Sequence, residues 1–191
     1  MKVLAVNGSA RVKGNTAALL DAALVPLREA GAECEVVNLA GKDIRGCTAC
    51  GKCREKKDGL CHGRQDYANE VLEKVKQADA IILGSPVYFA DVTSEMKALI
   101  DRVGYVCKNN GNLLAKKLGA GIIAVRRAGA MHALDTLNHF FLIGEMVVIG
   151  SSYWNIGIGR ERGEVLKDEE GLATMKRLGE NMAWLLRKLA A

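Results

Sequence analysis

The sequence predicts an α/β fold in which helices cover both faces of a five-stranded parallel sheet. Short apolar runs recur along the chain, helical patterns separate them, and polar loops follow the first and second runs. Strands that are buried on both faces of a parallel sheet have such continuous apolar sequences. A chain of 191 residues suits one domain and favours the strand order 2-1-3-4-5 over a six-stranded dinucleotide fold, so we expect a doubly wound sheet in that order.

Four strands are predicted from apolar runs and one from alternation. The apolar runs occupy residues 3–6, 80–83, 122–125 and 146–149. Residues 33–39 alternate polar and apolar side chains, which is typical of a more exposed strand at a sheet edge. Helical patterns around residues 15–30 and 170–189 carry leucine and methionine on one side. Helix and strand therefore alternate, as parallel strands require.

Composition and charge restrict the function classes. Apolar residues make up 49% of the chain and charged residues 26%. The formal net charge is +5, and the Lys and Arg side chains are spread along the chain with acidic residues among them. With only 5% aromatic residues and no basic helix, we expect no nucleic-acid partner. No leader pattern or membrane-spanning apolar run occurs, so we expect a cytoplasmic protein with no membrane partner. The absence of repeats and linkers favours a single domain, 1–191.

A polar, glycine-containing loop at residues 7–16 joins the first strand to the first helix. Backbone N–H groups at a helix start bind anions, and Ser9, Arg11, Asn15 and Thr16 can add side-chain donors. A helix cap supplied by Asn15 or Thr16 is the alternative. Because the loop matches neither the dinucleotide nor the triphosphate motif, we expect it to bind a smaller phosphate compound. Three later glycines miss the dinucleotide spacing and are interpreted as turn residues: Gly157, Gly159 and Gly163.

The loops after the third and fourth predicted strands reach the same edge of the sheet. Pro86 stiffens the first of them, and Tyr88 and Phe89 place two aromatic side chains where a flat heteroaromatic ring could lie. The alternative is that both aromatic rings pack on the following helix. Residues 126–129 bring positive charge and a flexible backbone to this edge, unless their charges are simply solvated.

Four cysteines are crowded into the loop 43–64 after the second strand, with the spacing C-x2-C-x2-C-x7-C: Cys47, Cys50, Cys53 and Cys61. Cysteines three residues apart can reach adjacent corners of a [4Fe–4S] cube while a fourth comes from further along. Zinc, and a metal-free loop with free or reversibly oxidised thiols, are the alternatives. His62 is a minor ligand candidate. The isolated Cys34 and Cys107 are expected to be small buried residues.

These motifs are shared with a known family. They are Gly8-Ser9-Ala10-Arg11 with Gly14-Asn15-Thr16, Ser85-Pro86-Val87-Tyr88-Phe89 with Lys97 and Asp101-Arg102 downstream, and the cysteine spacing. On them the chain resembles the flavodoxin-like NAD(P)H-dependent FMN reductases, and among these the iron–sulfur flavoproteins. The resemblance implies FMN with its phosphate, isoalloxazine ring and pyrimidine edge held, in that order, by Ser9, Arg11, Gly14, Asn15 and Thr16; by Pro86, Val87, Tyr88 and Phe89; and by Arg126, Arg127 and Gly129.

The resemblance also implies an activity and partners. The expected function is an FMN-dependent oxidoreductase that passes electrons between FMN and a [4Fe–4S] cluster held by the four cysteines, with NAD(P)H or ferredoxin as electron donor. The alternatives are a cluster-free NAD(P)H-dependent FMN or quinone reductase and a thiol-based redox sensor. No catalytic side chain is expected beyond those that bind the cofactors. A homodimer or homotetramer is implied, and the basic residues of the loop 43–64 favour docking of an acidic carrier such as ferredoxin.

Overall fold

The structure is a computed structural model that describes residues 1–190. The elements in chain order are β1 (Lys2–Asn7), α1 (Asn15–Glu29), β2 (Glu33–Asn38), α2 (Lys52–Lys56), α3 (Ala68–Gln77), β3 (Ala80–Pro86), α4 (Ser94–Asn109), β4 (Leu118–Val125), α5 (Ala130–Ile143), β5 (Val147–Val148), β6 (Ile156–Ile158), a 3₁₀ helix (Glu164–Lys167) and α6 (Glu169–Ala190). No helix within residues 1–190 is long and apolar enough to cross a membrane.

The sheet confirms the predicted doubly wound order. Its strands run β2-β1-β3-β4-β5, and every pair is parallel. β4 is buried along its whole length, whereas β2 is largely accessible, as its alternating sequence predicts for an edge strand. The strand order reverses between β1 and β3, which leave the sheet toward opposite faces. A crevice therefore opens at their carboxyl ends.

The fifth position of the sheet differs from the prediction of one strand at 146–149. β5 is two residues long and pairs with the start of β4, where Val147 lies opposite Leu118. β6 pairs with the end of β4 and fills the rest of that position. Between them, the Ser151 hydroxyl bonds locally to the Tyr153 carbonyl and the Asn155 side chain. Such local bonds compete with the strand ladder, so residues 150–155 leave the sheet.

Two helix layers enclose the sheet. α1 and α6 cover one face, and their leucine and methionine side chains pack on β1, β3 and β4. α3, α4 and α5 cover the other face, together with the buried part of the cysteine loop. Apolar side chains thus fill both sides of the central strands, which explains their unbroken apolar sequences.

The contact between α1 and α6 depends on a glycine. A Cβ atom on Gly179 of α6 would lie 2.1 Å from the Ala23 carbonyl oxygen of α1, far inside van der Waals contact. A backbone oxygen cannot move aside as a side chain can. Gly104 of α4 is also helical, but a Cβ there would meet only the Phe140 ring, at 3.5 Å. The two glycines therefore differ in the space around them.

We predict that Gly179→Ala and Gly104→Ala shift stability in opposite directions. Gly179→Ala forces α1 and α6 apart and should lower the free energy of unfolding by about 1–3 kcal/mol or more. Gly104→Ala removes backbone freedom from the unfolded chain without a clash and should raise it by about 0.5–1 kcal/mol. Urea unfolding of the FMN-free protein measures both changes. Equal signs for the two variants would contradict the packing described here.

Candidate functional site

A cavity lies at the carboxyl ends of β1, β3 and β4, where the strand order reverses. Most of the cofactor-binding residues predicted from the sequence line it: Ser9, Arg11, Gly14, Asn15, Thr16, Pro86, Val87, Tyr88 and Arg126. The structure adds Ala124, at the end of β4, and Gly159 and Arg160, which follow β6. Segments that are more than 140 residues apart in sequence therefore form one site.

The loop between β1 and α1 is shaped by buried polar side chains. Asn7 is buried, and its Oδ1 accepts a hydrogen bond from the Ser9 N–H at 3.1 Å. Ser9 Oγ in turn accepts from the Arg11 N–H at 3.1 Å. The loop delivers the chain into α1 at Gly14, and no side chain caps this helix. The alternative of a cap from Asn15 or Thr16 is therefore wrong. The first N–H groups of α1 have no acceptor within the helix, and the residues that carry them line the cavity.

Thr16 carries the observation that tests whether a phosphate group fits here. Its residue is 1% exposed, and its Oγ1 has no hydrogen-bond partner among residues 1–190. A buried hydroxyl without a partner is unfavourable and rare in folded proteins. Because Thr16 lies in the first turn of α1, an acceptor oxygen at the helix start would satisfy both the hydroxyl and the free N–H groups. The residues present therefore fit the phosphate of FMN.

Asn15 has a different role from the side-chain donor that the sequence suggested. Its Nδ2 donates to the carbonyl oxygens of Gly159 and Glu161, both at 3.0 Å, and its Oδ1 accepts from the Gly163 N–H at 2.8 Å. The side chain thus ties the segment after β6 to the start of α1, which leaves the Asn15 backbone N–H for an anion. This long-range pairing has no local sequence signal.

The glycines after β4 are not all turn residues. Gly163 has a φ of +80° and fits that interpretation. Gly157 lies in β6, where a Cβ would be 2.5 Å from the Leu19 side chain. A Cβ on Gly159 would be 2.6 Å from the Val165 nitrogen. These two glycines permit close packing beside the cavity, so the turn interpretation is wrong for them.

The loop after β3 forms a tight hairpin at the rim of the cavity. The Tyr88 N–H donates to the Asp91 carbonyl at 2.8 Å, and the Asp91 N–H donates back at 3.1 Å. Phe89 and Ala90 between them both have positive φ, of 47° and 66°. Tyr88 is half-exposed and lines the cavity, whereas Phe89 is fully exposed and lies outside its lining. The Phe89 ring therefore packs neither on α4 nor in this cavity.

The loop after β4 divides between two cavities. Arg126 lines the cavity described above, while Arg127 and Gly129 line a neighbouring one beside Tyr153 and Trp154. Both arginines are exposed. The predicted pyrimidine-edge residues are thus adjacent to the site, but only Arg126 reaches it in this structure.

The four clustered cysteines line one narrow pocket between their loop and α4: Cys47, Cys50, Cys53 and Cys61. Cys53 and Cys61 are buried, whereas Cys47 and Cys50 are exposed. Two asparagines hold the buried pair. Asn69 of α3 accepts from the Cys61 N–H at 2.9 Å and donates to its carbonyl at 3.0 Å, and Asn110 at the end of α4 donates to the Cys53 carbonyl at 3.3 Å.

The thiols have unequal electrostatic surroundings. The Lys52 N–H and the Thr48 hydroxyl lower the pKa of Cys50, since both stabilise its thiolate. Burial raises the pKa of Cys53. Outside the loop, Cys107 is fully buried, as predicted, and burial raises its pKa to about 12. Cys34 is partly exposed, so the prediction of a buried residue is wrong for it.

A buried arginine completes the cysteine pocket. The Arg102 side chain has no exposed surface, lines the pocket, and donates from Nη1 to Asp66. Burial lowers the pKa of Arg102, but the hydrogen bond to Asp66 and the charge of that carboxylate raise it by more, so the net change is upward. The sequence grouped Arg102 with the flavin-ring motif, yet the structure places it beneath the cysteines. Lys97 and Asp101 of that motif form an exposed ion pair at 2.5 Å on α4.

The donor set of this pocket fits an iron–sulfur cluster in chemistry, since four thiols and unpaired N–H donors surround one space. His62 also lines the pocket, but its ring nitrogens contact Asp58 at 2.8 Å and Lys56 at 3.4 Å. In the described part of the chain, no three His, Cys, Asp or Glu side chains are grouped to hold a single metal ion. The cluster therefore stays a prediction.

Comparison with known proteins agrees with the geometry of the first cavity. The profile of the NADPH-dependent FMN reductase family matches residues 1–161. An iron–sulfur flavoprotein of Methanocaldococcus jannaschii is 36% identical over 199 residues, which cover 98% of each chain. A second iron–sulfur flavoprotein of that organism is 35% identical and covers 93% of this chain and 92% of its own.

Solved structures show the same fold. RosB with a bound 8-demethyl-8-formylriboflavin-5'-phosphate superposes with a TM-score of 0.79 at 21% identity, over 100% of this chain and 80% of that one. A flavodoxin from the domain Archaea superposes with a TM-score of 0.64 at 16% identity, over 98% of this chain and 99% of its own. The flavodoxin-like fold is thus confirmed. The chain belongs to the NADPH-dependent FMN reductase family and is a flavin-dependent oxidoreductase of its iron–sulfur flavoprotein group.

Proposed function

We propose that the chain holds a [4Fe–4S] cluster in addition to FMN and passes electrons between the two. The observation that carries the proposal is the convergence of Cys47, Cys50, Cys53 and Cys61 on one pocket that a buried arginine also lines. Four thiolates are the usual ligands of such a cluster. The names of the related iron–sulfur flavoproteins support the same assignment.

Different residues of the first cavity would bind different parts of FMN. The N–H groups at the start of α1, the Thr16 hydroxyl and the Arg11 side chain would hold the phosphate. Pro86 and Tyr88 line the same cavity and would lie along the ring, and Arg126 would place positive charge beside it. When bound, FMN exchanges two electrons and the cluster one, which allows two-electron and one-electron partners to be coupled.

The two pockets lie apart within one chain, since no described residue lines both. We propose that a homodimer or homotetramer brings the cysteine pocket of one subunit toward the FMN of another. NAD(P)H or ferredoxin would supply the electrons. Arg45, Lys52, Arg54, Lys56 and Lys57 are exposed around the cysteines, which favours docking of an acidic electron carrier.

Anaerobic purification tests the proposal directly. We expect about one FMN, four iron and four sulfide per chain, as the composition of the cluster requires. A Cys61→Ala variant should lose iron and keep FMN, because Cys61 lies outside the flavin cavity. FMN without iron in the parent protein would instead indicate a cluster-free reductase. Protein that lacks both and changes its association on thiol oxidation would indicate a redox sensor.

Thr16→Val tests the phosphate site. Valine has nearly the same shape as threonine but cannot bond the phosphate, so we expect about tenfold weaker FMN binding, the equivalent of about 1.4 kcal/mol. The free energy of unfolding of the FMN-free protein should stay the same or rise, because the lost hydroxyl has no partner there. Fluorescence titration with FMN and urea unfolding measure the two effects.

Thr16→Ser is the matched control, because it keeps the hydroxyl and removes only a methyl group. Its affinity for FMN should stay close to that of the parent protein. A Thr16→Val variant that binds FMN as tightly as the parent would show that the hydroxyl does not contact the phosphate.

Gly63→Ala tests whether the cysteine loop is shaped to hold iron. A Cβ on Gly63 would lie 2.8 Å from the Cys50 sulfur and 3.0 Å from the Thr48 hydroxyl, so alanine must displace Cys50. We expect the variant to lose iron to a chelator about 10-fold faster, as changes around metal ligands commonly do. Gly46→Ala is the control, since a Cβ there meets nothing within 4 Å. Equal iron loss from both variants would contradict the prediction.

A further inference from the structure

Arg102 is a charged side chain with no access to water. It projects from α4 under the cysteine loop, and the exposed fractions of its side chain and of its partner Asp66 are 0% and 3%. Burying an ion is unfavourable unless its charge is paired and its hydrogen-bonding groups are satisfied. The structure must therefore compensate the buried charge and hydrogen-bond donors of this guanidinium, and the groups of the chain do so only in part.

Only one edge of the guanidinium is paired. Nη1 donates to the Asp66 carboxylate and, at 3.3 Å, to the Arg45 carbonyl. Nε and Nη2 have no hydrogen-bond partner among the atoms of residues 1–190, and neither is exposed. Buried side-chain donors are rarely left unpaired in native proteins. The free edge of Arg102 therefore indicates an acceptor that the polypeptide itself does not supply.

The surroundings identify the chemistry of that acceptor. Arg102 lies beside Cys61 and lines the same pocket as all four clustered cysteines. No Asp or Glu is among the pocket-lining residues, whereas Arg64 adds a second cation. A group held there by four thiolates carries net negative charge and presents sulfur atoms, which accept N–H bonds. Sulfur is thus the acceptor type that matches the free edge.

We propose that Arg102 is a positioning residue that donates its Nε and Nη2 N–H groups to sulfur atoms of the cluster and raises the reduction potential of the cluster. The inference rests on the proposed function, since it requires the cluster. Reduction adds one electron to the cluster and no proton to Arg102, which is cationic in both states. The added negative charge is stabilised by the nearby guanidinium, so the reduced state gains more than the oxidised state.

Two single variants test the proposal with opposite expected signs. Arg102→Gln removes the positive charge, so the equilibrium constant for reducing the cluster should fall at least tenfold. For one electron this lowers the reduction potential of the cluster by about 59 mV. Asp66→Asn removes the compensating negative charge but leaves Nε and Nη2 free to donate, so it should raise the potential. Redox titration followed by the electron paramagnetic resonance of the reduced cluster measures both.

A merely structural role for Arg102 predicts a different pattern. Without hydrogen bonds to the cluster, the charges alone would still move the potential in opposite directions in the two variants. Arg102→Lys, which keeps the charge, would then leave the potential at the parent value. The FMN potential, read from the flavin absorbance in the same titration, is the internal control. It should not move in either variant, because neither residue lines the flavin cavity.

Two further variants control for misfolding caused by breaking the buried ion pair. Arg102→Gln leaves the Asp66 carboxylate buried without its partner. The double variant Asp66→Asn/Arg102→Gln avoids this because it removes both charges, and its cluster potential should lie below that of Asp66→Asn. Arg102→Lys keeps the positive charge but lacks the planar set of N–H donors of a guanidinium, so it should lower the cluster potential by less than Arg102→Gln does. If Arg102→Gln loses iron, Arg102→Lys and Asp66→Asn still test the proposal, because both keep a positive charge at position 102.

The outcomes separate this inference from the proposed function. A parent protein without iron would overturn the proposed function and the role of Arg102 with it. A parent protein with about four irons per chain, combined with an unchanged or lower potential in Asp66→Asn, would overturn the role of Arg102 alone. Opposite shifts in the two charge variants, a lower potential in Arg102→Lys and a constant FMN potential would establish it.

Discussion

The parallel pairing of β1 with β3 is the constraint on which the flavin site depends. The two strands end side by side, with Asn7 opposite Gly84, and the Gly8 N–H donates to the Gly84 carbonyl at 2.7 Å. Side chains are excluded here, because a Cβ on Gly8 would be 3.1 Å from that carbonyl and one on Gly84 would be 3.0 Å from Leu20 and Thr16. The helices on the two faces can therefore approach the strand ends and leave a crevice between the loops.

A second set of bonds fixes the loops across that crevice. The Thr93 hydroxyl at the start of α4 donates to the Gly8 carbonyl at 2.8 Å, and the Thr93 N–H donates to Ser85 Oγ at 3.1 Å. All these groups are buried, so the bonds are shielded from water. The loops after β1 and β3 are thus held in one arrangement before any ligand arrives, which reduces the entropy lost on binding.

The sequence was sufficient wherever a local pattern determines structure. Apolar runs located β1, β3 and β4, and the loop before α1 was recognised because a helix start and a strand-order reversal coincide there. Sequence reasoning failed where residues distant in sequence determine the contacts of a side chain. Asn15 pairs with a segment 144 residues away, and Arg102 reaches the cysteine loop from a helix whose motif pointed to the flavin. Nothing within a few residues of either position encodes these partners.

Unpaired buried polar atoms mark both candidate pockets, but the feature alone does not identify a site. Asn112 also has unpartnered side-chain atoms, in a groove lined by Ile100, Phe140 and Ile143. The charged side chains that line that groove are already ion-paired, Lys97 with Asp101 and Lys108 with Glu145, so they do not point to a ligand. At Thr16 the helix start supplies an anion site, and at Arg102 four thiols share the pocket. In both cases the ligand-free chain retains an unfavourable buried group that binding would satisfy, so each cofactor should stabilise the folded state as well as serve the reaction.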